Sequence, residues 1–149
     1  ILNYVPVRAG ECYFFPAGLP HAIGKGILIA EIQQNCDLTY RMYDYGRPRE
    51  LHLDEAARSL KKYPIEEPTR EGVIADCKYF RAELLSVSGE LELAASDAGF
   101  ISLTLVSGDA KIICGEDEYA LGVRDSVYIP SGEERYILKG NAKLIKTTV

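Results

Sequence analysis

The second half of the chain alternates apolar and polar residues over short stretches, and no helical periodicity follows Val73. Glycine-containing turn signals separate these stretches at Ser88-Gly89, Ser107-Gly108, Gly115-Glu116 and Lys139-Gly140. Evenly spaced short strands with turn signals are typical of an antiparallel sandwich or barrel of jelly-roll type. The predicted strands cover residues 78–87, 90–94, 100–106, 110–114, 117–121, 125–129, 134–138 and 142–148.

The first half predicts a mixture of strands and one helix. Residues 4–7, 11–15, 26–34 and 38–45 are rich in the Tyr, Val, Ile and Phe that favour strands. Apolar residues in LHLDEAARSLKKYP recur at helical spacing, which predicts a short helix over about 54–62 that Pro64 ends. The charged, proline-containing segment PIEEPTREG (64–72) follows it and is the best candidate for a linker. We therefore expect an all-β protein with the trailing strands of one barrel and the short helix in 1–63, a linker over 64–72 and a complete smaller barrel over 73–149.

Composition narrows the class of protein. A net charge of −5 without a basic cluster argues against a nucleic-acid partner. No apolar run is long enough to span a membrane, and the four cysteines form neither a CxxC pattern nor a dense disulfide framework. These features predict a cytoplasmic protein with reduced thiols. Met42 is the only methionine, so we expect an upstream segment to be missing from this chain.

The segment GECYFFPAGLPH (10–21) is the strongest local signal for a site. Pro16 ends strand pairing and Gly18 permits a tight turn. Pro20 favours an extended conformation at Leu19, so His21 follows a rigid corner of the chain. A histidine held in this way is suited to bind zinc, iron or manganese. The alternative is a histidine that only satisfies a hydrogen bond in the loop. Residues 122–132, GVRDSVYIPSG, repeat the glycine, strand and P-x-G order without a histidine, which suggests two similar β units or generic β-turn chemistry.

The longer segment FFPAGLPHAIGKGILIAEIQQNCDLTYRMYDYGRPRELHLDEA resembles the class I mannose-6-phosphate isomerases in their short bacterial form. The matching elements are PAG-x-PHAIG, the strand ending in EIQQ, D-x-T-YR-x-YDY-x-R and the ELHL helix start. The resemblance is strong over most of residues 1–63, and residues 73–149 resemble the metal-free C-terminal cupin domain of that family. It implies that this chain is the C-terminal part of a cupin enzyme.

The family resemblance also implies a set of site residues. His21 corresponds to one of four protein ligands of a single zinc ion, and the other three ligands lie in the part of the enzyme that precedes this chain. Arg41 corresponds to the active-site arginine and Asp37 to the aspartate linked to ring opening of the sugar. No separate cofactor is implied beyond the metal, and Glu31 is a weaker candidate on the same side.

Each of these residues has a structural alternative. When the resemblance is set aside, an exposed cross-strand ion pair between Asp37 and Arg41 is the preferred explanation of their spacing. Arg47 and Arg49 are interpreted as solvated loop charges, with assistance to phosphate binding as the alternative. His52 is interpreted as structural, and the tyrosines of residues 40–45 as core or pocket wall.

The resemblance implies aldose–ketose isomerisation of mannose 6-phosphate and fructose 6-phosphate through an enediol, in a metal-dependent enzyme of which the present chain alone is inactive. The partners are then the sugar phosphate and the missing N-terminal half, with no nucleic acid or membrane. A stand-alone cupin oxidoreductase needs paired histidines, and the chain contains no HxH. A non-catalytic sugar-binding or regulatory domain remains the second hypothesis.

Overall fold

The computed structural model describes residues 3–64, 66–94, 99–132 and 135–149 of the chain. Strands dominate these residues, and the single helix in them is α1 (Leu53–Ser59). The strands are β1 (Gly72–Asp76), β2 (Arg81–Ala94), β3 (Ile101–Cys114), β4 (Asp117–Leu121), β5 (Ser126–Ile129) and β6 (Arg135–Thr148).

The strands form one antiparallel sheet in the order β1-β2-β6-β3-β4, and β5 also pairs with β3. Strand β6 lies in the middle and pairs along its whole length with β2 on one side and, from Tyr136 to Thr148, with β3 on the other. The two shorter strands β4 and β5 pair with opposite ends of β3. The last strand of the chain therefore organises the sheet.

Three of the four predicted glycine turns are wrong, because each of these glycines lies inside a continuous 14-residue strand. The turn at Gly115-Glu116 is confirmed, since it joins β3 to β4. Gly89, Gly108 and Gly140 all have positive φ. Gly89 and Ala110 both pair with Gly140, and Gly108 pairs with Ala142, two residues further along β6. A Cβ at Gly108 would lie 2.0 Å from the Asn141 carbonyl oxygen, so the backbones approach there more closely than a side chain allows.

The hydrophobic core lies on one face of the sheet. Buried and partly buried positions alternate at both ends of β3, on either side of four exposed residues, and over much of β6, as strands with one covered face require. Leu103, Leu138 and Leu144 are fully buried in this cluster, and each contributes about 1.5–3 kcal/mol by burial. The positions of the predicted strands in the second half of the chain are confirmed. Three pairs of predicted strands are each merged into one long strand, β2, β3 or β6, and β1 was not predicted.

The residues up to Tyr13 group with Pro68–Val149 in one compact unit, and Phe14–Glu67 form the other. An antiparallel bridge joins Cys12 to Thr69, with backbone N···O distances of 2.8 and 2.9 Å. The start of the chain is thus attached to the segment that was predicted to be a linker. The division at 64–72 into two domains stays a prediction.

The structure contains no strand at residues 4–7, 11–15, 26–34 or 38–45, so these four element predictions are wrong. Apolar β-branched and aromatic residues favour strands, but a strand exists only where a second strand satisfies its backbone groups. Within residues 3–64, the bridge at Cys12 is the one β pairing assigned.

The predicted helix is confirmed but is shorter, since α1 ends at Ser59 and not beside Pro64. Leu60 leaves the helical conformation with ψ of 130°. The Lys61 N–H then donates to the Gly18 carbonyl at 3.0 Å, and the Tyr63 hydroxyl donates to the Ala17 carbonyl at 3.2 Å. Contacts with the corner at residues 17–18 accompany the early end of the helix.

The Glu11 carboxylate fixes the start of the chain beside residues 69–70. Its Oε1 accepts a hydrogen bond from Arg70 at 2.6 Å, and its Oε2 accepts from the Arg8 N–H at 2.8 Å and the Tyr13 hydroxyl at 3.1 Å. The Arg70 hydrogen bond, followed by that from Arg8, lowers the pKa of Glu11 below its ordinary value of 4.5. The carboxylate therefore favours the folded state when it is ionised.

Gly108→Ala is expected to destabilise the protein more than Gly89→Ala, although both glycines have positive φ. At Gly89 no atom lies within 4 Å of the new Cβ, so only the left-handed backbone costs about 1–2 kcal/mol. At Gly108 the clash with Asn141 adds to that cost. Denaturant unfolding of both variants measures the difference, and equal losses would show that the close approach has no energetic consequence.

The stability contributed by Glu11 is expected to disappear in acid. Because its pKa is lower in the folded state, the contribution is complete above about pH 4.5 and is lost as the pH falls through the folded pKa. The difference in unfolding free energy between wild type and Glu11→Gln should therefore shrink as the pH falls. Glu67→Gln is the matched control, and a wild-type difference that is independent of pH would contradict the role of the carboxylate.

Candidate functional site

The corner that carries His21 has the turn that the sequence predicts. The Leu19 N–H donates to the Pro16 carbonyl at 3.1 Å, and Gly18 has φ of 95°. A Cβ at Gly18 would lie 2.6 Å from the Ser59 carbonyl oxygen at the end of α1. Glycine is therefore required both by the turn and by the close approach to the helix end.

His21 is exposed at the end of this corner, and its ring is held on two sides. Nδ1 lies 3.0 Å from the Leu19 carbonyl oxygen, and the ring stacks on Phe15 with centroids 4.4 Å apart. Since a carbonyl only accepts, Nδ1 is the donor in this contact, and in the neutral imidazole Nε2 is then the nitrogen available to a metal. The contact with Leu19 is also the loop hydrogen bond that a purely structural histidine would make. The geometry is therefore compatible with a metal ligand and with a structural residue.

The described ranges 3–64, 66–94, 99–132 and 135–149 contain no group of three or more His, Cys, Asp or Glu side chains placed to hold a metal ion. A catalytic zinc site uses three protein ligands or more. The described residues therefore do not fit a complete zinc site, and the ligand role of His21 stays a prediction.

Hydrogen bonds with Glu50 and His52, which precede α1, hold Arg41 in position. The Arg41 N–H donates to Nδ1 of His52 at 3.3 Å, and the His52 N–H donates to the Arg41 carbonyl at 2.8 Å. The guanidinium Nη1 donates to the Glu50 carbonyl at 3.3 Å. His52 is also the N-cap residue of α1, so its interpretation as a structural residue agrees with these contacts.

Asp37 and Glu31 are both exposed. Within residues 3–64, no hydrogen bond or ion pair joins any two of His21, Asp37 and Arg41, so the ion-pair explanation for Asp37 and Arg41 is not realised. The catalytic roles of Asp37 and Arg41 stay predictions.

The most strongly organised charged group in residues 14–67 is centred on Asp44, which the sequence analysis did not single out. The Asp44 side chain is 4% exposed, whereas those of Arg47 and Arg49 are 59% and 50% exposed. Arg49 Nε donates to Asp44 Oδ2 at 2.7 Å and Arg49 Nη2 donates to Oδ1, which also faces Arg47 Nη2 at 3.0 Å. The Arg49 hydrogen bond, and then the charges of Arg47, Arg49 and Arg41, lower the pKa of Asp44 against the opposing effect of burial.

A tight turn brings these groups together. The Arg47 N–H donates to the Asp44 carbonyl at 2.9 Å, and the two central residues, Tyr45 and Gly46, have φ of 53° and 77°. Positive φ at both central positions is characteristic of a type I′ turn. Arg47 and Arg49 are loop charges with about half of each side chain exposed, as predicted, but both also contact a buried carboxylate, which was not predicted. The sequence contains a signal for this group, because Asp44 is followed by the turn residues Tyr45-Gly46 and then by arginines three and five positions after the aspartate.

Beside this turn lies an open depression of about 320 Å³. Arg47 and Tyr45 form one part of its wall, and the Arg47 guanidinium carbon lies 5.7 Å from the centre of the Tyr45 ring. Ile23, Gly24 and Lys25 complete the lining. A small site with two cations and an aromatic ring suits an anionic ligand.

Comparison with known proteins identifies the family. Residues 71–149 match the family model described as mannose-6-phosphate isomerase, cupin domain. The chain belongs to this family. A crystal structure of the mannose-6-phosphate isomerase from Bacillus subtilis has a similar fold, with a TM-score of 0.64 and 25% identity over 78% of this chain and 42% of that one. The predicted resemblance and the all-β cupin fold are therefore confirmed.

Two curated relatives extend the similarity over almost the whole chain. A mannose-6-phosphate isomerase of Bacillus subtilis is 32% identical over 97% of this chain and 51% of its own length. One from Streptococcus mutans is 28% identical over 97% of this chain and 50% of its own length. This mannose-6-phosphate isomerase family member thus spans about half the length of these curated relatives. No helix in the described residues is long and apolar enough to cross a membrane.

The isolated chain is expected to retain zinc at well below one ion per molecule. His21 is a single ligand, and the described residues add no cluster around it. Metal analysis after gel filtration measures the ratio, with His21→Ala as the variant and His52→Ala as the control. Near-stoichiometric zinc that His21→Ala abolishes would show that this chain holds a complete site.

Proposed function

We propose that this chain forms part of a mannose-6-phosphate isomerase, which interconverts mannose 6-phosphate and fructose 6-phosphate through an enediol. The match of residues 71–149 to the isomerase cupin model carries the proposal. Relatives named mannose-6-phosphate isomerase that align with almost all of the chain support it further.

The proposed chemistry moves a proton between C1 and C2 of the open-chain sugar and develops negative charge on the adjoining oxygen. Arg41 is assigned the stabilisation of this charge, because a guanidinium stays protonated and can donate two parallel hydrogen bonds. Its backbone contacts with His52 and its side-chain contact with Glu50 support a fixed position for the group. Asp37 is assigned to ring opening, for which an exposed carboxylate can transfer a proton.

The exposed apolar surface of residues 14–64 supports a partner for this part of the chain. Among the described residues of 14–67, only Asp44 and Ala56 are buried, whereas Leu28 is 83% exposed and Tyr43 70%. Large exposed apolar side chains in this number are typical of a surface that another part of a protein covers. Since the relatives are about twice as long, we propose that the other half of the isomerase polypeptide covers it.

A single zinc ion in the complete enzyme, with His21 as one ligand, belongs to this proposal. The described residues supply no cluster of further ligands for it. A cytoplasmic location also stays a prediction.

The 149-residue chain by itself is expected to show no conversion of mannose 6-phosphate. The partner surface is uncovered and the predicted metal site is incomplete, so the preorganised groups that provide most of the rate acceleration are absent. A coupled assay for fructose 6-phosphate measures this, with the full-length protein as the positive control. Chelator-resistant turnover by the pure chain would contradict the prediction.

In the full-length protein, Arg41→Ala is expected to lower kcat by about 10²–10³, or roughly 2.7–4 kcal/mol, with a smaller effect on KM. Arg41→Lys should restore part of the rate, since an ammonium lacks the planar fork. Arg58→Ala, an exposed arginine of α1, is the matched control and should leave both constants unchanged. Near-wild-type kcat in Arg41→Ala would remove Arg41 from the mechanism, and a full-length protein without isomerase activity would refute the proposed function.

A further inference from the structure

His52 and Arg41 exchange two hydrogen bonds although they are well separated in the chain. The Arg41 N–H donates to Nδ1 of His52 at 3.3 Å, and the His52 N–H donates to the Arg41 carbonyl at 2.8 Å. The second bond joins backbone groups only, so any residue other than proline can make it at position 52. The first bond uses the imidazole ring and therefore depends on the side chain of His52.

The direction of the ring hydrogen bond determines which protonation state of His52 can make it. A backbone N–H only donates, so Nδ1 must accept, and the proton of the neutral ring then lies on Nε2. A protonated imidazole carries an N–H at both nitrogens and has no acceptor left. Protonation would therefore place two donors against each other and break the bond to the Arg41 N–H.

The ring of His52 is directed at Arg41 and does not cap the helix that it precedes. His52 is the N-cap residue of α1, yet its side chain makes no capping hydrogen bond to residues 53–59, all of which the structure describes. Its carbonyl accepts from the N–H of the buried Ala56 at 2.9 Å. The backbone of His52 is thus attached to α1, and this attachment provides a fixed base from which the ring can hold Arg41.

Charges of both signs lie near the ring. Oε2 of the exposed Glu50 is 4.0 Å from His52 Nε2, and the Arg41 guanidinium donates to the Glu50 carbonyl at 3.3 Å. The Tyr40 ring centre is 6.3 Å from that of His52. The acids of the first turn of α1 are Asp54 and Glu55. A carboxylate favours the protonated imidazole and a guanidinium opposes it, so the charge of the ring depends on the pH and not on one dominant neighbour.

We propose that His52 is a positioning residue for Arg41 and that it acts only while its imidazole is neutral. The neutral ring holds the Arg41 backbone and the Glu50 carbonyl holds the guanidinium, so segment 50–52 orients both ends of Arg41. The inference rests on the proposed function for the role of Arg41, whose guanidinium must keep its orientation to stabilise the enediolate. The isomerase should therefore lose turnover as the pH falls through the range in which histidines titrate.

Two variants of the full-length protein test the need for an acceptor at Nδ1. His52→Asn supplies a side-chain oxygen that can accept from the Arg41 N–H, does not titrate and is favoured at an N-cap. His52→Leu removes the acceptor. At about pH 8, His52→Asn should keep kcat within about twofold of the wild type, and His52→Leu should lower kcat about three- to tenfold with little change in KM. Equal losses of kcat in the two variants would overturn the acceptor role.

The pH profile tests the requirement for a neutral ring and needs only the wild type and His52→Asn. Because every other titrating group is present in both proteins, its effect cancels in the ratio of their kcat values. The ratio of wild type to His52→Asn should fall about three- to tenfold from about pH 8 to about pH 5. Metal content is measured in both proteins at each pH to confirm that it stays equal. A ratio that does not change with pH would overturn the proposal.

Asp54→Asn is the matched control for a purely structural role of His52. Asp54 is an exposed residue in the first turn of α1, and its substitution weakens the start of the helix without removing a contact of Arg41. We expect a lower Tm with the kcat and pH profile of the wild type. If Asp54→Asn lowers kcat as much as His52→Leu does, the effect belongs to the stability of α1 and the positioning role is overturned.

Nitrogen NMR of the full-length protein distinguishes failure of this inference from failure of the proposed function. At about pH 8 the His52 ring should carry its proton on Nε2, and the Arg41 amide signal should shift as the ring is protonated in acid. His52→Asn should abolish that shift. A proton on Nδ1 at about pH 8 in an active isomerase would overturn the inference and leave the function intact. The expected signals in a protein without isomerase activity would uphold the contact but refute its catalytic purpose together with the function.

Discussion

The pairing of β6 with two strands at once is the constraint on which the sheet depends. Every residue of β6 from Arg135 to Thr148 pairs with β2, and most pair with β3 as well. This arrangement requires three backbones to pass close together near Gly140, where a Cβ would lie 2.3 Å from the Asp109 carbonyl oxygen. Glycine at this level therefore maintains the register that places Leu103, Leu138 and Leu144 in one core.

The local structure of residues 14–67 depends more on polar contacts than that of the sheet does, because the sheet has an apolar core. Their described part buries Ala56 and Asp44 and leaves large apolar side chains exposed. The corner at Pro16–Leu19, the contacts between Arg41 and His52, and the Asp44 turn are all held by hydrogen bonds. Such contacts orient individual side chains, but each contributes only about 0.5–1.5 kcal/mol to stability.

Charge placement connects this local order to the proposed substrate. Asp44 is a buried acid whose partners are cations with exposed faces, so one carboxylate sets the direction of two guanidiniums. Arg41, to which the enediolate is assigned, also contributes to the field at Asp44. The charge of the residue proposed to act on the sugar thus reaches the Asp44 carboxylate.

Hydrophobic alternation and turn residues were sufficient to predict the strands of the second half, the helix near residue 54 and the turn at Gly115. The motif around His21 and the TYRMYDY segment were sufficient to predict the family. The sequence could not show whether Gly89, Gly108 and Gly140 make turns or close strand approaches, because both uses require the same absence of a side chain. Only the tertiary structure decided this, through the partner strand at each glycine. The tertiary structure also decided that residues 26–45 form no strands, because a strand needs a partner that is distant in the chain. It decided that Asp44 is buried beside its arginines, because this burial depends on the course of the turn.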